Sequence, residues 1–366
     1  MLLLSNNDVE QVLSMQSCLD ALDLGYQDMA TNNATYRPRS GVIVPTTPSK
    51  QFPNARYTFG SMEGASRSAG VLAIRMKSDI AYNQDGRHLK YCIQPGTYCG
   101  LVMLFSLNDG EPLAIMPDGI IQHMRVGACA AIGVKHLSRE DSSIVGILGS
   151  GGMARTYLEA FALVRPIQQA FVYSPNQAHR EEYAVEMSRL MNFPVEPLND
   201  PQKVVAGSDI VATCTDADHY IMTNPSWISN GMHLTDAGQG EWDPAVIERA
   251  DVRIRLGRAT FQTPEPGTTR IGPMEAFVAG QPEELGCLPE PRPEEPIGSD
   301  SYPLLTDLMT GRVPGRVSPK QVTFFDNQGS QGLQFAAVGG RVYQLAHEAG
   351  IGRDLPTEWF TQNIRD

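Results

Sequence analysis

The residues best placed to do chemistry are Gly149-Ser150-Gly151-Gly152-Met153-Ala154, a G-x-G-x-x-A. The run follows an apolar strand candidate, 143–148, and opens a helix candidate, 153–164. In that context such a turn binds a dinucleotide. Gly149 permits the tight turn, Gly151 lets the backbone approach a pyrophosphate, and Ala154 allows close helix–strand packing. The helix N-terminus adds free N–H groups and partial positive charge. Cofactor choice is read at the end of the next strand candidate, 170–173. NAD usually meets an Asp or Glu there, but the chain continues Ser174-Pro175-Asn176, with His179 and Arg180 beyond. No carboxylate repels a 2′-phosphate, and Ser174, Asn176 and Arg180 offer donors to one. The expected cofactor is NADP, with NAD as the alternative.

The surrounding pattern supplies a scaffold for this turn. From residue 142 onward, short apolar runs (143–148, 170–173, 209–213, 232–235, 252–254) alternate with helical stretches (153–164, 177–191). That alternation implies a parallel sheet. Before it come an amphipathic helical segment within 1–30, then short strands broken by Gly, Pro and Asn over 35–117, then a helix rich in small residues over 118–137. A final helix is expected over about 333–350. Residues 263–303 carry nine prolines and read as an extended, irregular insertion. The expected fold class is α/β: a Rossmann-type nucleotide domain, 139–317, beside an α+β domain made from 1–138 and 318–366.

Composition narrows the partners. The chain has 366 residues, 42% hydrophobic and 19% charged, an ordinary globular balance. With 29 Lys and Arg against 41 Asp and Glu, the net charge is −12. A nucleic-acid binder usually carries a basic surplus, so a nucleic acid is not expected, whereas a small anion held by a few local cations is. No signal peptide or apolar stretch of about 18 residues is present, so a membrane is not expected either. The six cysteines lack C-x-x-C spacing and the seven histidines are isolated. Reduced thiols, a cytoplasmic setting and no protein metal site are the expectation.

Several further segments share a recognisable order: Arg125-Val126-Gly127-Ala128-Cys129-Ala130-Ala131 before the nucleotide strand, then Gly311-Arg312-Val313-Pro314-Gly315-Arg316, Val322-Thr323-Phe324-Phe325, Val342-Tyr343-Gln344-Leu345-Ala346 and Gly350-Ile351-Gly352. With the G-x-G-x-x-A, this order resembles the ornithine cyclodeaminase/mu-crystallin family along nearly the whole chain except 264–300. The resemblance implies a homodimer, with one domain for substrate and dimerisation and one for NAD(P). It also implies chemistry on the C–N bond of an amino or imino acid.

Site residues follow from the resemblance position by position. The family's carboxylate-gripping Arg after a Pro matches Arg39 of Pro38-Arg39, with Arg37 as the neighbouring alternative; a guanidinium fork suits a carboxylate. The family Arg on the small-residue helix matches Arg125, placed to reach both substrate and cofactor. On so apolar a helix it needs an anion or a carboxylate partner. The family Lys on a substrate-domain strand falls at Arg75 or Lys77, two apart and on one strand face. Lys77 is the expected proton donor, assisted by Arg75. Thr213, Thr215 and Ala237 join the turn residues as cofactor contacts. Three departures stand out. No Asp follows Gly238 where cyclodeaminases carry the Asp that handles the departing amine, because Asp236 lies before it and Glu241, expected at a helix start, lies after it. Gly332-Leu333-Gln334-Phe335 replaces a Glu-Asp, and the proline-rich insertion is extra. The expected activity is therefore imine reduction or its reverse. Cyclodeamination with internally recycled NAD, or ligand binding without catalysis, are the alternatives.

Overall fold

The computed structural model describes residues 1–46, 52, 54–84, 87–217, 219–238, 240–258, 268–271, 274–278 and 301–364. Most of the proline-rich stretch lies outside the described residues. Within it the backbone forms two strands, Thr268–Ile271 and Met274–Val278.

The apolar runs of the second half become parallel strands because both of their faces are covered. Among the described residues the sheet has seven strands, in the order Val195–Pro197, Gln169–Tyr173, Ile144–Leu148, Ile210–Thr213, His233–Asp236, Thr323–Asp326 and Val252–Arg255. The chain winds outward in both directions from Ile144–Leu148, so a topological switch point lies between that strand and Ile210–Thr213. Ligands bind at such a point, outside the carboxyl ends of the strands. The helix Gly152–Val164 rises from it, and the fold is α/β with a Rossmann-type parallel sheet. Thr323–Asp326, which the expected boundary at 318 assigns to the other domain, pairs inside this sheet. Its four residues are all buried, and Thr323-Phe324-Phe325 fills the slot between two parallel neighbours.

The first half builds a larger mixed sheet around the long antiparallel strands Arg56–Ser66 and Val71–Gln84. Ser40–Pro45 and Cys99–Ser106 flank them, and Pro112–Pro117 follows. Met274–Val278 pairs with Ser40–Pro45, so part of the insertion joins this sheet rather than the nucleotide one. The N-terminal helical segment divides into Asn6–Val12 and Met15–Ala30, because Ser5 and Ser14 each cap a separate helix. Three helices, Met15–Ala30, Gly119–Leu137 and Gln331–Ala349, bury their apolar sides beside the sheet in one continuous core. Small residues let them approach closely. A Cβ on Gly127 would collide with the Thr156 backbone of the neighbouring helix, and one on Gly332 with the Glu63 carbonyl of the sheet. No helix of the described residues is long and apolar enough to cross a membrane.

Candidate active site

Three elements bring four cations together. Arg39 lies just before the strand Ser40–Pro45, Arg75 and Lys77 share one face of Val71–Gln84, and Arg125 sits within Gly119–Leu137. Register explains why there is room. Gly41 pairs with Gly60, Gly60 with Lys77, and Lys77 with Gly100. Across the four strands from Ser40–Pro45 to Cys99–Ser106, Lys77 is thus the one side chain in a row otherwise made of glycines. It lies across Gly60, where a Cβ would stand 3.0 Å from its Cε.

Each cation has a different electrostatic setting. Arg75 is buried and gives two N–H groups to Asp118 (Nε–Oδ2 2.7 Å, Nη2–Oδ2 2.6 Å). Asp118 occupies the N-cap position of Gly119–Leu137 but caps no N–H with its side chain. Gly100 makes this possible, since a Cβ there would overlap the Asp118 carboxylate. Lys77 Nζ pairs with Asp79 at 3.2 Å. Burial, then Lys90 and Arg39, nevertheless pull its pKa down from the usual lysine value to about 8, against the opposing pull of Asp79. Arg39 has its Nε buried and without a partner among the described residues. Burial, then Arg75 and Arg125, lower its pKa to about 9, so it stays charged at neutral pH. Arg37, the alternative, points elsewhere and grips Glu63 with two N–H groups (2.8 and 2.9 Å).

Arg125 departs from expectation. Among the described residues its anchors are neutral amides, Gln334 (Nη1–Oε1 2.5 Å) and Gln122 (Nη2–Oε1 2.8 Å), rather than a carboxylate, and its buried Nε has no partner. The Phe335 ring stabilises the charge from another side, with Arg125 at 5.3 Å and Arg75 at 5.6 Å from its centroid. Gln334 is itself fixed by donating to Tyr26 Oη (3.0 Å) and the Gly329 carbonyl (2.9 Å). The Gln334-Phe335 pair that departs from the family sequence therefore holds Arg125.

The glycine-rich turn fits a dinucleotide by its own geometry. Gly149 has φ +117°, and a Cβ there would strike the Cys214 carbonyl. Gly151 begins the helix with open space around it and no side-chain cap, so the first N–H groups stay available. Gly152 faces only His123, whose ring would lie 3.5 Å from an added Cβ. Met153 is half-buried in the first turn and Ala154 is fully buried. Arg155, which sequence reasoning did not single out, braces the turn. It donates to the Ser150 carbonyl (2.9 Å) and the Gly151 carbonyl (3.2 Å) while paired with Glu186. Ser150 donates to Ser174 (3.0 Å), and Arg180 donates to the Ser174 carbonyl (2.9 Å). Asn176 caps the helix Gln177–Met191. Ser174, Asn176 and Arg180 thus gather at the end of the second strand.

The remaining candidates surround a buried carboxylate. Glu241 lies outside any helix, and Asp243 caps the short helix Pro244–Ile247 that Glu241 was expected to start. Glu241 accepts from the Thr213 hydroxyl (2.9 Å), the Thr215 hydroxyl (2.6 Å) and N–H (2.8 Å), and the Gly238 N–H (3.2 Å). The Thr213 side chain is fully buried between Glu241 and Trp242, so it faces the interior. Ala237 donates its N–H to the Thr213 carbonyl at 2.9 Å. Asp236 also has an inward role. Burial and the adjacent Asp326 raise its pKa well above the usual carboxyl range, and its Oδ1 accepts from the Asn327 N–H (3.0 Å). Asp79 and Asp118 escaped sequence reasoning. The two-residue spacing Arg75, Lys77, Asp79 was a signal for the first; nothing local signalled the second, which meets Arg75 across 43 residues.

A family model described as the ornithine cyclodeaminase/mu-crystallin family matches residues 82–344. An uncharacterized cyclodeaminase of Sinorhizobium fredii is 31% identical over 69% of this chain and 72% of its own length. A Delta(1)-pyrroline-2-carboxylate reductase of Bacillus cereus is 24% identical over 97% of this chain and 99% of its own. Among solved structures, the Thermococcus litoralis Delta(1)-pyrroline-2-carboxylate reductase in complex with NADH and L-proline superposes with a TM-score of 0.74. That match has 22% identity and covers 97% of this chain and all of the other.

Proposed function

This chain belongs to the ornithine cyclodeaminase/mu-crystallin family, and from that premise we infer that it is an NAD(P)-dependent oxidoreductase reducing the C=N bond of an imino acid, or oxidising the matching amino acid. The observation that carries the reading is the cation cluster beside a dinucleotide-type turn. It contains two guanidinium groups without acidic partners among the described residues and a lysine with a pKa of about 8. Gly149, Ser150, Gly151, Gly152, Met153 and Ala154 hold the cofactor phosphates, with Thr215 and Ala237 bordering the same crevice. When bound, the nicotinamide supplies or accepts a hydride. Arg39 and Arg125 orient the substrate carboxylate by charge-assisted hydrogen bonds. Lys77 gives its proton to the imine nitrogen, and Arg75, fixed by Asp118, keeps the local field positive without offering a proton. Preorganised charge of this kind is a large catalytic contribution. The reading includes a homodimer and two domains, with Thr323–Asp326 assigned to the nucleotide side.

The experiment is a screen of cyclic and linear imino acids with NADPH and NADH, following cofactor absorbance. Turnover supports the reading, and absence of turnover and of imino-acid binding overturns it. A cyclodeaminase is the second reading, favoured by the name of the 31%-identical relative and opposed by the lack of an Asp at the matching place after Gly238. Ammonia release from ornithine without net cofactor change would support it.

Two outcomes follow. Below pH 8 Lys77 is protonated and able to donate, so kcat/KM for imine reduction should fall as pH rises through about 8. Amine oxidation, which needs the free lysine, should rise through the same pH. Parallel pH–rate profiles in the two directions check this. For the cofactor, Ser174, Asn176 and Arg180 support NADP. Arg180→Glu should weaken NADPH binding by about tenfold or more, the size of one charge-assisted contact, and leave NADH nearly unaffected. Fluorescence titration of both cofactors measures it.

A further inference from the structure

Two thiols meet at the edge of the site. The strands Arg87–Tyr91 and Cys99–Ser106 pair in turn with the same edge of Val71–Gln84. Tyr91 lies opposite Ile80 and Cys99 opposite Ser78, so Cys92 falls at the rung between them, beside Asp79. Residues 93–98 leave the sheet between these rungs and are all exposed. The register thus brings Cys92 and Cys99 together across the excursion, and their thiols are in hydrogen-bond contact. Both are free and half-buried, whereas Cys18, Cys129 and Cys214 are buried. Burial first, then Cys92, Asp118 and Asp79, hold the Cys99 thiol above its ordinary pKa, which leaves Cys92 as the sulfur to attack first.

Both ends of the excursion are tied to the cations of the site. Cys99 precedes Gly100, which pairs with Lys77 and accepts the Asp118 N–H on its carbonyl (3.0 Å). Gly100 has no room for a Cβ beside the Asp118 carboxylate, and that carboxylate fixes Arg75. Cys92 follows the strand that carries Lys90, whose charge bears on Lys77. Between the thiols, Ile93 has φ +68°, a costly value for a β-branched residue, and its side chain is exposed. A disulfide holds its sulfurs about 2.0 Å apart, well inside a thiol hydrogen bond. One end or both must therefore move as the bond forms, and either movement reaches the site.

We propose that Cys92 and Cys99 are a redox-active pair that closes to a reversible disulfide and thereby lowers the activity of the neighbouring site. The oxidant is a low-molecular-weight disulfide. The Cys92 thiolate attacks it, forms a mixed disulfide and expels one thiol. Cys99 then attacks the Cys92 sulfur, closes the intramolecular bond and expels the second thiol. The protein loses two electrons and two protons, and the oxidant gains them as two thiols. A dithiol reverses both steps. The proposal goes beyond the imine-reductase reading and assigns none of its catalytic groups.

The test incubates the whole chain with glutathione disulfide and maps its peptides without reduction. A Cys92–Cys99 link is expected, reversed by dithiothreitol and absent from Cys92→Ser and Cys99→Ser. Hydrogen exchange at the Asp118 N–H should quicken in the oxidised protein. Turnover in imine reduction should fall about tenfold or more, since a misplacement of about 1 Å can cost 10²-fold. Dithiothreitol should restore both, and the two serine variants should keep their turnover in the oxidant. The proposal is overturned if no such link forms, or if the bond joins Cys287 or two chains instead. It is equally overturned if the linked protein keeps its exchange pattern and turnover, or if the serine variants are inhibited as the wild type is. A protein that reduces no imine in either state removes the functional reading, while the peptide map and hydrogen exchange still decide the pair.

Discussion

Lys77→Met should lower kcat for imine reduction by about 10²- to 10⁴-fold, the range for loss of a positioned acid. That corresponds to about 3–5 kcal/mol of barrier. The size follows from the site's composition. Arg75 and Arg125 are arginines, which hold their protons firmly, and Arg39 keeps its own to about 9, whereas Lys77 is lowered to about 8 by burial, Lys90 and Arg39. Methionine preserves the reach of the side chain across Gly60 and removes the proton and the charge. The pH dependence near 8 should vanish in the variant. Lys77→Arg is the sharper comparison: it keeps the field and the Asp79 pair yet should remain impaired. Single-turnover rates with cofactor affinity measured separately decide the matter. A variant that binds cofactor normally and retains wild-type kcat would remove Lys77 from the mechanism.

Gly149→Ala should be the most damaging single-methyl change in the nucleotide half. A φ of +117° is one that L side chains rarely adopt, and backbone strain of this type costs about 1–3 kcal/mol. The methyl would also meet the Cys214 carbonyl, a backbone atom that cannot rotate away. Relief requires the first strand and the turn to separate from Cys214, which displaces the N–H groups that the helix Gly152–Val164 offers to phosphate. Loss of stability and loss of NAD(P)H binding should therefore appear together. Gly152→Ala is the control for stability, because its methyl faces only the edge of His123 at 3.5 Å. Thermal unfolding and cofactor titration on both variants test the contrast.

The fold was largely legible in the sequence because its signals are local. The run 143–148, the turn at 149–152 and the helix after it sit together in the chain, and the strand–helix alternation announces a parallel sheet. The failures have one physical origin: they concern pairings made across long sequence separations. Thr323–Asp326 reads as an apolar run, yet its place between His233–Asp236 and Val252–Arg255 depends on register with strands about 70–90 residues earlier. Glu241 looks like a helix-start carboxylate because Trp242-Asp243-Pro244 follows it. Its partners Thr213 and Thr215 decide otherwise. Within the site, the cations were legible as residue types at matching positions, but their charge balance was not. Whether Arg125 meets a carboxylate or an amide depends on residue 334, which arrives from a helix 209 positions away.

That distance has a consequence for biosynthesis. Arg125 is secured by Gln334, and Tyr26 by Ser330 and Gln334, the first at the N-cap of the helix Gln331–Ala349 and the second within it. At a usual rate of about 5–20 residues per second, the ribosome needs roughly 10–40 s to go from one partner to the other. During that interval the face of the first sheet that will pack on this helix has no cover, and Arg125 has only Gln122 to hold it. The nucleotide sheet is likewise incomplete until Thr323–Asp326 emerges. Neither half can then mature ahead of the other, and a growing chain gains its anion-gripping centre only as its last long helix settles into place.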